Sequence, residues 1–377
     1  MLGLLLLSGG LTLQGAVIGE PAPELVSGPM LKGGKLRLAD QRGKKFTVLH
    51  FWKTRCPACV KAVPMIRELA VKYAGQGEFA AVGCEFPGIL RQEESWKNYP
   101  GTVISDPMQE NFRQYFPQNG TFPADVIISS GGTLLWKGPT IALAGVLEEI
   151  RSGKYDLKSA AEVDRFNTGM TKALADKDTQ GALKLLRERR KLFPEDPALA
   201  EGEARILAGP GKAPDAGLKV LDAALTKAPK SIRLYLAKVQ ILQSSGRGDS
   251  REVLDVYRAI AREFSRQSVL LAKLTGPLLK NPRGSFVLLS AYILAHQAYR
   301  NRSGLTALEC GRIAANLARV YYYLGMTDRA VLMQAEAVER LKNSPAARAA
   351  TAELAFYRGS IAAAAEVRKL EAAPVKK

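Results

Sequence analysis

Cys56-Pro57-Ala58-Cys59 is the part of this sequence whose residue types and spacing can do chemistry. Two cysteines three positions apart can close a disulfide on each other and reopen it, or they can supply half of a tetrahedral zinc site. Zinc needs two further ligands. Cys84 and Cys310 lack that spacing and the only histidines are His50 and His296, so no metal or other cofactor is expected. Thiol–disulfide exchange needs a thiolate as the attacking species. A cysteine at the start of a helix meets the positive end of the macrodipole and unpaired N–H groups, and both favour the thiolate.

The flanking residues supply such a helix start. Phe46-Thr-Val-Leu-His-Phe-Trp52 is an apolar, β-rich run of strand length. From Cys59 to Tyr73 the apolar residues Val63, Ile66, Leu69, Ala70 and Tyr73 recur at helical spacing. The CxxC therefore sits where a strand hands over to a helix, with Cys56 as nucleophile and Cys59, deeper in, as the resolving thiol. Lys53 and Arg55 add positive charge beside Cys56. Phe79–Gly83, Val103–Ser105, Ala124–Ser129 and Thr133–Lys137 read as further strands, with Gly131-Gly132 as a turn and Ile141–Arg151 as a last helix. Strands alternating with helices, closed by a hairpin, describe an α/β sheet.

That order of elements resembles the TlpA/ResA-type branch of the thioredoxin superfamily, exported and often membrane-tethered thiol–disulfide oxidoreductases. The likeness runs through Gly19-Glu-Pro-Ala-Pro-Glu24, Gly34-Lys35-Leu36, Leu38–Lys44, Phe51-Trp52, the CxxC with Pro64 five residues on, and Thr121-Phe-Pro123 ahead of a strand. It implies that Pro123 is the family's cis-proline beside the nucleophile, and that Phe122, Trp52, Arg55 and Pro57 face the substrate. His50 stands two residues before Trp52, where relatives keep a buried acid or an Asn beneath the CxxC. There it would either exchange a proton with Cys59, since imidazole titrates near neutrality, or be a packed strand histidine. Glu85 resembles in position an acid that some relatives place near the disulfide, or else is a solvated loop carboxylate. Cys84 reads as a third redox thiol or a small buried residue. Arg55 departs from the family's usual Trp and Ala62 from its frequent Glu, which bears on docking and redox poise. A peroxidase reading fits less well, because a single residue separates Thr54 from Cys56.

The chain has 377 residues and a net charge of +18, unevenly spread. Residues 1–152 hold 16 Lys+Arg against 13 Asp+Glu, and residues 153–377 hold 38 against 23. The basic half favours acidic partners or surfaces; nucleic acid is not expected, because the cations are scattered without an aromatic-studded groove. Met1–Ala16 is a short apolar run ending in small residues, read as a secretory segment without a basic n-region, and too short to span a bilayer. The expected location is extracytoplasmic, in a bacterial periplasm, with the N-terminal segment cleaved or kept as a tether.

Beyond Ser152–Asp156 the pattern turns to Ala/Leu-rich helical periodicity. Ala182 to Ala216 is 34 residues and Pro194 to Pro229 is 35, the tetratricopeptide period. Ala315–Ala337 resembles that repeat closely, with Gly325 at the turn and Ala330 and Ala337 where paired helices approach; residues 264–312 fit it poorly. The expected layout is an N-terminal segment (1–18), an α/β thioredoxin-like domain (19–152) and an all-α, tetratricopeptide-like domain of four to six units (153–377). The reading is a protein-disulfide reductase whose repeats recruit a protein partner, acting on protein thiols and disulfides. Its alternative is an interaction scaffold with a slow or vestigial exchanger.

Overall fold

The computed structural model describes residues 15–26, 28–94, 99, 101–117, 120–280, 282 and 284–372, with side chains to 369. The segment read as secretory therefore lies, through Gln14, outside the described residues. The chain divides into two compact units, Met1–Asp176 and Lys177–Lys377.

The first unit runs β1 (Met30–Lys32), α1 (Leu38–Gln41), β2 (Phe46–Trp52), α2 (Pro57–Lys72), β3 (Gly77–Gly83), α3 (Pro87–Leu90), β4 (Thr102–Ser105), α4 (Glu110–Tyr115), β5 (Ala124–Ile128), β6 (Leu134–Pro139), α5 (Thr140–Arg151) and α6 (Leu157–Ala175). The six strands form one sheet in the order β1-β4-β3-β2-β5-β6. β2, β3 and β4 are parallel, while β5 and β6 are antiparallel to their neighbours. This is a thioredoxin-like α/β domain, as the sequence leads one to expect. β1, α1, α3 and α4 are too short for periodicity to reveal them.

β2 lies in the middle of the sheet and is buried on both faces, which explains its nearly unbroken apolar run. Successive side chains alternate. Leu49 and Phe51 join Val82, Ile104, Val126, Phe112 and Tyr115 on one side, whereas Val48 and Trp52 join Cys59, Ile66, Ile127, Leu143 and Leu147 on the other. Helices α2 and α5 thus cover the second face.

Two boundaries differ from the expected ones. Val17 and Ile18 are buried in the first unit, and the Ala16 N–H donates to Gln114 O, so the fold takes in residues before Gly19. Helix α6 also belongs to this unit: its Asp164 accepts from Ile18 N at 2.9 Å and pairs with Lys137 at 3.1 Å. Helical periodicity does not show what an apolar face packs on, which is why residue 152 looked like the end of the domain.

The second unit is all helical: α7 (Thr179–Leu192), α8 (Pro197–Ala208), α9 (Pro214–Lys227), α10 (Ile232–Ser244), α11 (Arg251–Glu263), α12 (Ser268–Leu278), α13 (Ser285–Arg300), α14 (Ala307–Tyr323), α15 (Thr327–Leu341) and α16 (Ala347–Ala372). Neighbouring helices pack as α8 on α9, α12 on α13 and α14 on α15, and alternate ones stack as α8 on α10, α11 on α13 and α12 on α14. α8, α10 and α12 start 35 and 36 residues apart, but the step from α12 to α14 is 39. That longer step is why residues 264–312 break the period. Ala330 and Ala337 are fully buried, and Gly325 turns the chain at φ +74°. Of the three consecutive tyrosines, Tyr321 is buried, Tyr322 stacks on Tyr357 and Tyr323 is exposed. No helix among the described residues is long and apolar enough to cross a membrane.

Candidate active site

Strand β2 ends at Trp52, and Lys53–Arg55 lead into α2, whose N-cap is Cys56. Pro57 takes the first helical position, where a missing N–H costs no helix bond. Cys56 and Cys59 form a disulfide with Cα atoms 5.2 Å apart. Cys56 Sγ accepts the Cys59 N–H at 3.1 Å, so this sulfur occupies the capping position and meets the positive end of the helix. Cys56 is half-buried and Cys59 is 1% exposed. Only the first can meet another protein's disulfide.

The Phe122–Pro123 peptide is cis and leads into β5. Phe122 O lies 3.8 Å from Cys56 Sγ. The Phe122 ring stacks on Phe112 with centroids 4.4 Å apart, and Lys53 Nζ sits 4.5 Å from its centroid, which brings a cation to the sulfur's surroundings. Arg55, Pro57 and Ala58 are exposed around the disulfide, and Phe122 and Pro123 are half-buried. Trp52, expected to face the substrate, is instead 3% exposed. Its place in β2 aims it inward, into the cluster that holds Cys59.

Glu85 is not a free, solvated loop carboxylate. Its carboxylate accepts the Thr54 N–H at 2.6 Å and the Thr54 hydroxyl at 3.2 Å, pinning the loop two residues before Cys56. The Thr54 hydroxyl is thereby directed at Glu85. Cys84 is buried, and burial followed by the nearby Asp106 carboxylate pushes its thiol far up, which suits a packing residue rather than a redox thiol. Cys310 is buried as well. Among the described residues no cluster of three or more His, Cys, Asp or Glu could hold a metal ion.

His50 and Asp125, 2% and 0% exposed, are opposed across the β2–β5 ladder, with Nδ1 and Oδ1 2.8 Å apart. A carboxylate can only accept, so in a pair of ionised Asp125 and uncharged imidazole the Nδ1–H is the donor and Nε2 is left as an acceptor. Nε2 and Asp125 Oδ2 have no hydrogen-bond partner among the described residues. Strand alternation places both side chains on the face covered by α2. Burial, then the Asp125 carboxylate, pushes the Tyr99 hydroxyl well above its ordinary value. Asp125 is the residue sequence reasoning missed. Its signal was present, an acid in an otherwise apolar strand two residues after Pro123, but the cross-strand register that opposes it to His50 is not written in the sequence.

Residues 18–137 match the AhpC/TSA family. The chain is 33% identical over 63 residues to thiol-disulfide oxidoreductase YkuV of Bacillus subtilis (strain 168), covering 17% of this chain and 43% of that protein. It is 40% identical over 73 residues to thiol-disulfide oxidoreductase ResA of Geobacillus kaustophilus (strain HTA426), covering 19% and 41%. The chain thus spans less than half the length of these curated relatives. Among solved structures, it resembles the thioredoxin domain of a thiol-disulfide oxidoreductase from Bacteroides vulgatus at 20% identity and a TM-score of 0.30, over 35% of this chain and 96% of that one. Residues 18–137 are a thioredoxin-like α/β domain similar to the AhpC/TSA family.

Proposed function

We propose that this chain is an extracytoplasmic thiol–disulfide oxidoreductase that reduces protein disulfides, and that its helical unit is a tetratricopeptide-like array that recruits a protein partner. One observation carries the redox reading: a half-exposed Cys56 at the N-terminus of α2, bonded to a buried Cys59 and 3.8 Å from the carbonyl of the cis-peptide residue Phe122. In the dithiol form, the Cys56 thiolate attacks one sulfur of a client disulfide and expels the other as a thiolate. Cys59, deprotonated, then attacks Cys56 Sγ, releasing the second client thiol and closing the Cys56–Cys59 disulfide. An external dithiol restores the start.

Cys59 must lose its proton for that second step. His50 Nε2, an unpartnered acceptor on the same face of the sheet, is the group assigned to receive it, with Asp125 holding the ring and stabilising its cation. The extracytoplasmic placement rests on the apolar Met1–Ala16 run, and recruitment on the repeat spacing and stacked helices of the second unit. The test is reduction of insulin by the full chain. Cys56→Ser should lose turnover, and Cys59→Ser should accumulate a mixed disulfide through Cys56. Undiminished turnover in Cys56→Ser would rule out the redox reading and leave the scaffold.

A further inference from the structure

The helical unit carries a groove of about 550 Å³ lined by α12, α14 and α16, with Gln334 and Leu341 contributed by α15. Small residues line it at Ala272, Gly276, Ala315 and Ala350, leaving room for a polypeptide main chain to approach. Its charges are unequally committed. Arg319 is paired with Glu353 at 2.9 Å, and Glu309 accepts from the N–H and hydroxyl of Thr306 at the start of its own helix. Lys273 on α12 and Arg312 on α14 are exposed and make no ion pair or hydrogen bond among the described residues; Arg312 acts on Glu309 only through space. Asn316 donates its Nδ2 to Ala272 O at 3.0 Å, so its Oδ1 remains an acceptor for a peptide N–H. Around the groove the whole unit is strongly basic, with 34 Lys+Arg against 19 Asp+Glu over residues 177–377.

We infer that this groove binds an acidic, extended peptide segment of a partner protein, whose carboxylates meet Lys273 and Arg312. The inference rests on the recruitment half of the function proposed above and names the chemistry of what is recruited. Two uncommitted cations in a concave site, inside a unit of the same sign, attract and orient an anionic chain. The absence of aromatic rings from the groove lining favours peptide over single-stranded nucleic acid, which binds through stacking platforms.

Fluorescence anisotropy of the full chain, with Cys56 and Cys59 oxidised, provides the test. The probe is a fluorescein-labelled decapeptide of alternating glutamate and alanine, compared with its lysine counterpart and an oligothymidylate of equal length. The glutamate peptide should bind, and Lys273→Gln with Arg312→Gln should weaken it at least about tenfold, while removing the exposed Lys184 and Lys219 charges as glutamines changes it less than about twofold. Asn316→Asp, which adds a negative charge to the groove, should weaken it too and serves if the double variant misfolds. Equal weakening by the Lys273/Arg312 and Lys184/Lys219 double variants, preference for the oligothymidylate with the same dependence, or no binding would each overturn the inference. Reduction of a small disulfide by the same variants, with an external dithiol supplied to reduce Cys56–Cys59, reads the CxxC separately and should be unchanged. Recruitment is also read apart: clients trapped by Cys59→Ser that crosslink to residues 177–377, without groove-dependent peptide binding, would refute the acidic peptide and spare recruitment.

Discussion

The two faces of the sheet are built from the same strands and bury different things. Under α4 and α6, Leu49, Phe51, Val82, Ile104, Val126 and Ile128 meet Phe112 and Tyr115 in a core whose buried polar groups are partnered: the Tyr115 hydroxyl donates to Pro23 O at 2.9 Å, Asn111 Oδ1 accepts from Val26 N, and Asp164 accepts from Ile18 N. Under α2 and α5, the core around Cys59 also takes in His50, Trp52, Tyr73, Tyr99, Asp125 and Thr140. Those six residues supply six of the seven buried side-chain polar atoms that lack a partner among the described residues. A buried polar atom stripped of every partner costs about 1–3 kcal/mol. The face that carries the CxxC thus concentrates the less fully partnered polar and titratable side chains, while the opposite face satisfies its few polar groups within an apolar core.

Truncation on the apolar face should have the largest effect on stability and the least on chemistry. Phe51→Ala is expected to lose about 3–5 kcal/mol in urea denaturation, with the exchange rate per folded molecule unchanged. The polar face should behave in the opposite way. Replacing His50 and Asp125 together by leucine should leave stability equal or raise it by about 1–4 kcal/mol while slowing resolution of the mixed disulfide by at least about tenfold. Asp125→Ala alone, which strands the imidazole, should cost about 1–3 kcal/mol. A double variant that is much less stable than the parent, or that resolves mixed disulfides at the parent rate, would erase the contrast between the faces.

Smaller effects are expected at the edges of the two faces. Glu85→Ala frees the Thr54 N–H and hydroxyl ahead of Cys56 and should cost about 1 kcal/mol, with slower attack by Cys56 in stopped-flow measurements. The smallest is at Glu24 on the rim. Burial pushes its carboxyl up, but the N–H groups of Leu38, Ala39 and Leu25 and the charge of Arg37 outweigh it and hold the group below its ordinary 4.5. A lowered carboxyl stabilises the fold in full above its unfolded value and loses that contribution as pH falls through the folded one. Glu24→Gln should therefore cost less than about 1 kcal/mol near pH 7, discounted for exposure, and nothing in strong acid.

The sequence made the redox centre legible because its signals are local: an apolar strand, a CxxC, a helical stripe and a proline ahead of a later strand. β2, α2 and α5 stand where those signals pointed, and the cis peptide lies before Pro123, where the family resemblance rather than any local signal placed it. What stayed hidden depends on partners distant in the chain. Parity along β2 separates Trp52 from Phe51 but does not say which face α2 will cover, so the sequence alone does not show that Trp52 is buried. α6 carries the same helical periodicity as the repeats, yet Asp164 ties it to Ile18 and Lys137. Asp125 acquires its meaning only from its register with His50.

The most direct test of the account is the reduction potential of the Cys56–Cys59 pair, measured on the full chain by equilibration with defined dithiol buffers and trapping of free thiols. A single reversible two-electron transition near the ~ −270 mV of thioredoxin is the predicted result. A potential near the ~ −120 mV of DsbA would contradict the reductase reading, and no reversible transition in the folded protein would contradict the enzyme altogether.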